Sequence, residues 1–246
     1  MKVLQNFLTA FRFLTRIPLP GKTHAQTSLS GAAMFFPIVG LAIALGAIGL
    51  RRVLLSHFPA SIVAALVLSY LVLITGGFHE DGLADSADGF GGGWTKDRIL
   101  EIMRDSRIGS FGALAIGLSL LARYSLLSNL RIDKFSSYII VAHVLCRWTT
   151  LPLSFFMRPA RAEGQGAGVA QRTSALSLIS GTLIALLICY LAMHLAFWLP
   201  LAVAVVVTLI SGLYYHSQIG GITGDCFGAT HQLTEIGIYL CGVWVP

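Results

Sequence analysis

A chain of 246 residues in which 55% are hydrophobic and only 11% are charged lies far below the roughly 25% charge of a water-soluble domain, which excludes a soluble fold. Its formal charge of +6 rests on 17 Lys and Arg against 11 Asp and Glu, but the basic residues are scattered among the ends of apolar stretches rather than gathered in a patch, so nucleic acid is not an expected partner. The expected fold is all-α: a polytopic helical membrane protein with one integral domain over 1–246, surrounded by lipid bilayer.

Residues 3–17 alternate apolar side chains with Arg12 and Arg16 and run into Pro18-Leu19-Pro20. They are too short and too charged to cross a bilayer and read as an interfacial helix. The interruption at Arg12 and the lack of a small-residue cleavage site argue against a cleavable signal peptide. A spanning helix needs about 20 apolar residues. Residues 31–50, 61–77, 109–130, 135–156, 176–198, 199–215 and 219–245 meet or approach that length, giving about seven spans, with Pro200 marking the break in the nearly continuous stretch 176–215. Cys146, Cys189, Cys226 and Cys241 fall inside these spans without metal-ligand spacing and are expected to be reduced, buried thiols.

With seven spans and a cytoplasmic N-terminus, eleven Lys and Arg from Lys2 to Arg172 lie inside. Only Arg51, Arg52, Arg131 and Lys134 lie on the other side, and Arg123 and Arg147 are within spans. That bias predicts a cytoplasmic N-terminus and places the segment 78–108 and the connection before the last span on the same, cytoplasmic face.

Seven of the eleven acidic residues lie between Glu80 and Asp105. A helix continuing from the second span would set Asp81, Asp85 and Asp88 on one face, at i, i+4 and i+7. Like charges at that spacing repel unless a cation neutralises them. Mg2+ is commonly held by one or two carboxylates together with substrate phosphates, so these three aspartates are candidate metal ligands for a diphosphate substrate. The plainer alternative is a solvated acidic loop capping the span, against which stand Leu83, Ala84 and Ala87 between the carboxylates. His79, able to exchange a proton near neutral pH, and Glu80 adjoin the cluster as candidate catalytic groups.

The run Gly89-Phe90-Gly91-Gly92-Gly93-Trp94 follows, in which Gly91 and Gly92 permit close backbone approach to a ligand. It lacks the lysine and the Ser or Thr of a P-loop, and a hinge is the competing reading. Residues 95–105 have the pattern of an amphipathic helix capped by Thr95. Lys96 and Arg98 are candidate substrate contacts and Arg104 and Arg107 candidate catalytic cations, since a phosphate-handling site needs charge opposite the metal. Intrahelical pairing and positive-inside anchoring are the alternatives.

Charged groups inside spans usually mark function; here they are Arg123, Arg147, Asp225 and Glu235. Gly224, Gly228 and Ala229 allow close helix packing around Asp225. Asp225 either completes the metal set or pairs with Arg123 or Arg147.

The stretches Phe13-Leu14-Thr15-Arg16-Ile17-Pro18, His79-Glu80-Asp81-Gly82-Leu83-Ala84-Asp85 with Asp88-Gly89, Ile102-Met103-Arg104-Asp105-Ser106-Arg107-Ile108-Gly109, and Gly224-Asp225 with Gly228-Ala229 together resemble the cobalamin synthase, or adenosylcobinamide-GDP ribazoletransferase, family over nearly the whole chain. The resemblance implies a multi-pass enzyme of the bacterial inner membrane that requires Mg2+. Such an enzyme joins adenosylcobinamide-GDP to α-ribazole or its 5'-phosphate and releases GMP. A homo-oligomer is left open. Among rivals, a CDP-alcohol phosphotransferase would show arginine where Asp85 follows Asp81-Gly82-Leu83-Ala84, and a prenyltransferase normally carries two aspartate clusters. A transporter would show internal repeats and helices broken near the midplane.

Overall fold

A computed structural model describes residues 2–19, 29–160 and 173–244, and the named elements among them are all helices. Pro20, Lys22, Arg161, Arg172 and Val245, which entered the sequence reading, lie outside the described residues. Helix α1 (Lys2–Leu14) buries Thr9, Ala10 and Leu14, and Phe13 stacks on Phe36 at the start of α2 (Phe36–Leu54), ring centroids 5.9 Å apart.

Four helical stretches are long and apolar enough to cross a membrane: Ala33–Leu54, Ser110–Asn129, Ile132–Phe156 and Ala175–Ile219. A fifth arises if the bent pair α3 (Ala60–Thr75) and α4 (Phe78–Gly92) counts as one span. The expected seven differ from this for identifiable reasons. The 45-residue run Ala175–Ile219 would reach ~68 Å if straight, over twice the hydrocarbon thickness. A 3-10 turn at His194–Phe197, opened by His194 at φ 49°, separates it into α9 (Ala175–Met193) and α10 (Trp198–Ile219). The last expected span is the helix α11 (Gly224–Trp244), long enough to cross but not among the apolar set, because it carries Asp225, His231, Gln232 and Glu235 and buries most of its length inside the bundle.

The remaining elements are α5 (Lys96–Ile102), α6 (Ser110–Asn129), α7 (Ile132–Trp148) and α8 (Thr150–Phe156). Helix α7 is buried almost all round, through Ile139, Val141, Ala142, Val144 and Leu145. Helices α2, α9 and α11 pack on it. Helix α6 divides its faces: Leu114, Leu118 and Leu121 point outward while Ser119, Arg123, Leu126 and Leu127 point in. An outer surface of exposed leucines, continued by Leu183, Leu187, Leu209 and Leu213 on α9 and α10, suits lipid as its solvent.

The second expected span does not continue straight into the acidic segment. Gly76 and Gly77 both adopt left-handed backbone, at φ 68° and 69°, a conformation glycine enters without the Cβ penalty. Their amides close α3, Gly76 N–H donating to Leu73 O at 3.0 Å and Gly77 N–H to Val72 O at 2.9 Å. The chain then turns by 85° into α4, which lies against α5, α6 and α11.

Candidate active site at the crossing of two helices

The bend carries the acidic helix across α11 at a contact between small residues. A Cβ on Gly82 would lie 2.8 Å from the Asp225 carbonyl oxygen and 3.2 Å from the Gly228 Cα, and one on Gly228 would lie 3.0 Å from the His79 carbonyl oxygen. The first turn of α11, with Asp225, therefore touches α4 between Asp81 and Asp85. Asp81 is exposed and Asp85 and Asp225 are half-buried. Asp225 accepts a hydrogen bond from Thr223 Oγ1 at 3.2 Å. Segments about 140 residues apart in the sequence thus meet through their backbones at this crossing.

Asp88, on the same helix, faces α6. It is buried, accepting the Gly109 N–H at 2.7 Å on Oδ2 and the Gly112 N–H at 2.8 Å on Oδ1. A carboxylate at a helix N-terminus satisfies amides that have no intrahelical partner and favours the positive end of the helix dipole. Asp88 thus caps α6 from across the fold, a tertiary role that i, i+4, i+7 spacing does not reveal.

The glycine run is the last turn of α4 rather than a loop. A Cβ on Gly91 would meet the Phe111 ring at 2.7 Å, and one on Gly92 would meet Ile102 at 3.3 Å. Both glycines thus serve the packing of α4 on α5 and α6. Thr95 caps α5 as expected, its hydroxyl accepting the Arg98 N–H at 3.4 Å. The Lys96 Nζ comes within 3.7 Å of the position a Gly220 Cβ would take, beside the turn that leads into α11. Arg98 pairs with Glu101 at 2.8 Å on the exposed face of α5. Arg104 is exposed, with no ion-pair partner among the described residues. Arg107 is held by Asp105 through its Nε at 3.0 Å and its Nη2 at 2.6 Å. Those hydrogen bonds hold the Asp105 carboxyl down at about 2 and raise the Arg107 guanidinium above its ordinary value.

His79 and Glu80, expected beside the reacting centre, face the bundle interior instead. Glu80 accepts from Arg123 Nη2 at 2.9 Å and from Gln232 Nε2 at 3.1 Å. Glu235 stands 3.7 Å from Arg123 Nη1. His79 lies against His231, ring centroids 4.6 Å apart, and His231 Nε2 bonds the Thr150 hydroxyl at 2.8 Å. Arg147 turns to His143, its Nη1 3.1 Å from His143 Nδ1 and 3.1 Å from the His143 carbonyl oxygen. Neither arginine is Asp225's partner in these pairs. Gln232 shares a helical face with Asp225 at i and i+7, which is its one mark in the sequence, whereas Ser119 and His143 become interior partners only through packing from other helices.

A hard cation such as Mg2+ needs oxygen ligands, and the crossing offers carboxylates of that kind from Asp81, Asp85 and Asp225. Among the described residues no group of three or more His, Cys, Asp or Glu side chains could by itself hold a metal ion. Any ion held at the crossing would therefore need water or substrate oxygens to complete its ligands.

A family model described as cobalamin-5-phosphate synthase matches residues 6–243. A protein of Shewanella amazonensis named adenosylcobinamide-GDP ribazoletransferase is 38% identical over 244 residues, covering 96% of this chain and 94% of that one. One of the same name from Ralstonia pickettii is 36% identical over 243 residues, covering 94% and 92%. No solved structure matches the chain. A match of this extent, at identities of this size over nearly the whole of both chains, places the protein in the cobalamin-5-phosphate synthase family.

Proposed function

We propose that this chain is an adenosylcobinamide-GDP ribazoletransferase of the bacterial inner membrane. It transfers the adenosylcobinamide-phosphate part of adenosylcobinamide-GDP to α-ribazole or its 5'-phosphate and releases GMP. The observation that carries the reading is the family match over residues 6–243. The close crossing of α4 and α11 at Gly82 and Asp225 supports a site there, since it brings the backbones that carry Asp81, Asp85 and Asp225 together.

Asp81 or Asp85 on α4 and Asp225 on α11 would hold Mg2+ together with the substrate phosphates, and the ion when bound would neutralise the diphosphate and stabilise GMP as the leaving group. The chain's own cations act on the other side of the phosphates. Arg104 and Arg107, on the connection between α5 and α6, offset charge at the transferred phosphoryl group, and Lys96 approaches from beside the α11 turn. The attacking hydroxyl of the ribazole forms the new P–O bond as the diphosphate P–O bond breaks, and its proton leaves to solvent or a carboxylate. Asp88 supports the site by fixing α6 against α4. The site faces the cytosol on this reading, because Lys96, Arg98, Arg104 and Arg107 share its segment and basic connections stay inside.

The test uses purified protein in detergent with adenosylcobinamide-GDP and α-ribazole. GMP release that stops on chelation and returns with added Mg2+ is expected. Turnover undiminished by chelation would remove the metal from the reading, and absence of GMP release from well-folded protein would remove the reaction.

A further inference from the structure

Three of the helices that build the site are joined below it by a buried polar cluster that the proposed chemistry does not use. Arg123 of α6 is 1% exposed and reaches Glu80 of α4 and Glu235 of α11. Gln232 of α11 donates to Glu80 and accepts from Ser119 Oγ of α6 at 2.8 Å. Each of the three helices is therefore bonded to the other two. The charges balance, two guanidiniums (Arg123 and Arg147) against two carboxylates.

The cluster surrounds a cavity of about 10 Å³, room for about one water. Among its lining residues, Glu80 Oε2, Glu235 Oε1, Arg123 Nε, Arg147 Nε, His79 Nε2 and His231 Nδ1 are buried without a hydrogen-bond partner. A lone cation there would face two guanidiniums and a lone anion two carboxylates. Only a molecule that both donates and accepts, such as water, suits the set, so the cluster is not a second ion site.

Its consequence lies in helix register. The contact of Gly82 with Asp225 and Gly228 lets α4 and α11 approach closely, but glycines offer no directional bond to fix one helix along the other. The direct hydrogen bond between them runs from Gln232 to Glu80, one residue before Asp81, and Arg123 bridges from Glu80 to Glu235, ten residues or ~15 Å along α11 from Asp225. We propose that Arg123 is a positioning residue: by holding Glu80 and Glu235 together it sets the register in which Asp81 and Asp85 stand beside Asp225. The functional part of this inference rests on the reading in which an aspartate of α4 shares a metal ion with Asp225.

Removing Arg123 alone strands two buried carboxylates and endangers the fold. The decisive variants are Arg123→Lys, which keeps the charge but loses the planar two-armed reach, and the double change Arg123→Met, Glu235→Gln, which removes one charge of each sign and leaves Glu80 to balance Arg147. Both are expected to insert and melt near the wild type, yet to need at least tenfold more Mg2+ for half-maximal GMP release. Arg123→Lys is expected to be the milder of the two. Spin labels on cysteines placed at the exposed Phe78 and Leu233 report the register without turnover, and their distance distribution should shift or broaden in Arg123→Lys. An unchanged label distance overturns the proposal, as does an unchanged Mg2+ requirement in variants with altered melting. If the wild type releases no GMP, the reaction assignment fails while the label distances still decide the register.

Discussion

Gly82 stands so close to Asp225 that a methyl group on it would lie 2.8 Å from the Asp225 carbonyl oxygen and 3.1 Å from its Cα. Both are backbone atoms that cannot swing aside, so Gly82→Ala has to push α4 and α11 apart. Overpacking of this kind costs about 1–3 kcal/mol, and the displacement acts on the aspartates of both helices. Gly82→Ala is expected to lower the melting temperature in detergent by several degrees and GMP release at least tenfold. Gly117, on α6 with nothing within 4 Å of its Cβ position, is the control. There alanine should be neutral or stabilising by up to about 1 kcal/mol.

Asp88 separates a capping role from a ligand role. Asp88→Ala leaves the Gly109 and Gly112 amides without their acceptor, a loss of about 1–2 kcal/mol by analogy with helix N-caps. The expected result is a lower melting temperature and reduced turnover with an unchanged Mg2+ requirement. A Mg2+ requirement raised as far as in Asp225→Asn would return Asp88 to the metal site.

The helical class and the family were legible because they rest on composition and on local strings. The site was legible in its residues but not in its geometry. Asp81, Asp85 and Asp88 look equivalent on a helical wheel, yet α6 approaches one side of α4 and takes Asp88 for its own amides, a contact set by residues more than twenty positions away. Nothing local in the sequence marks Gly76-Gly77 as the point where the chain turns by 85° between α3 and α4. The expected last span, 219–245, corresponds to α11, which is long enough to cross though it falls outside the apolar set. A helix surrounded by protein can carry His231, Gln232 and Glu235 inward, so hydropathy, which reports contact with lipid, undercounts it.

The pair Asp105 and Arg107 gives a prediction about pH and substrate affinity. Asp105, held at about 2 by Arg107, lies below its ordinary value near 4. Its contribution is present above the ordinary value and is lost only as pH falls towards 2. Between pH 5 and 8 the pair stays ionised, and it should give no pH dependence to KM in that window. Both side chains are in water, where such pairs add little stability. Arg107→Ala should leave the melting temperature within about a degree and raise KM for the GDP-activated substrate roughly tenfold, as loss of one charge-assisted hydrogen bond would. A change confined to melting would show that the arginine serves only its local turn.

Asp225 provides the sharpest test of the crossing. If it neutralised Arg123 or Arg147, replacing it with asparagine would strand a buried cation and lower stability by several kcal/mol. The arginines are engaged otherwise, Arg123 with Glu80 and Glu235 and Arg147 with His143. The Thr223 hydroxyl that donates to Asp225 can donate equally to an asparagine carbonyl. Asp225→Asn is therefore expected to melt within about two degrees of the wild type while the Mg2+ concentration for half-maximal turnover rises tenfold or more. At least one of Asp81→Asn and Asp85→Asn should behave in the same way, these residues being exposed and half-buried on the facing helix. Combining Asp225→Asn with that change then distinguishes one shared ion from independent roles. Ligands of a single ion act as a unit, so the double variant should be little worse than either single change. If the two effects multiply, the helices do not share a metal, and the crossing at Gly82 has some purpose other than bringing these carboxylates together.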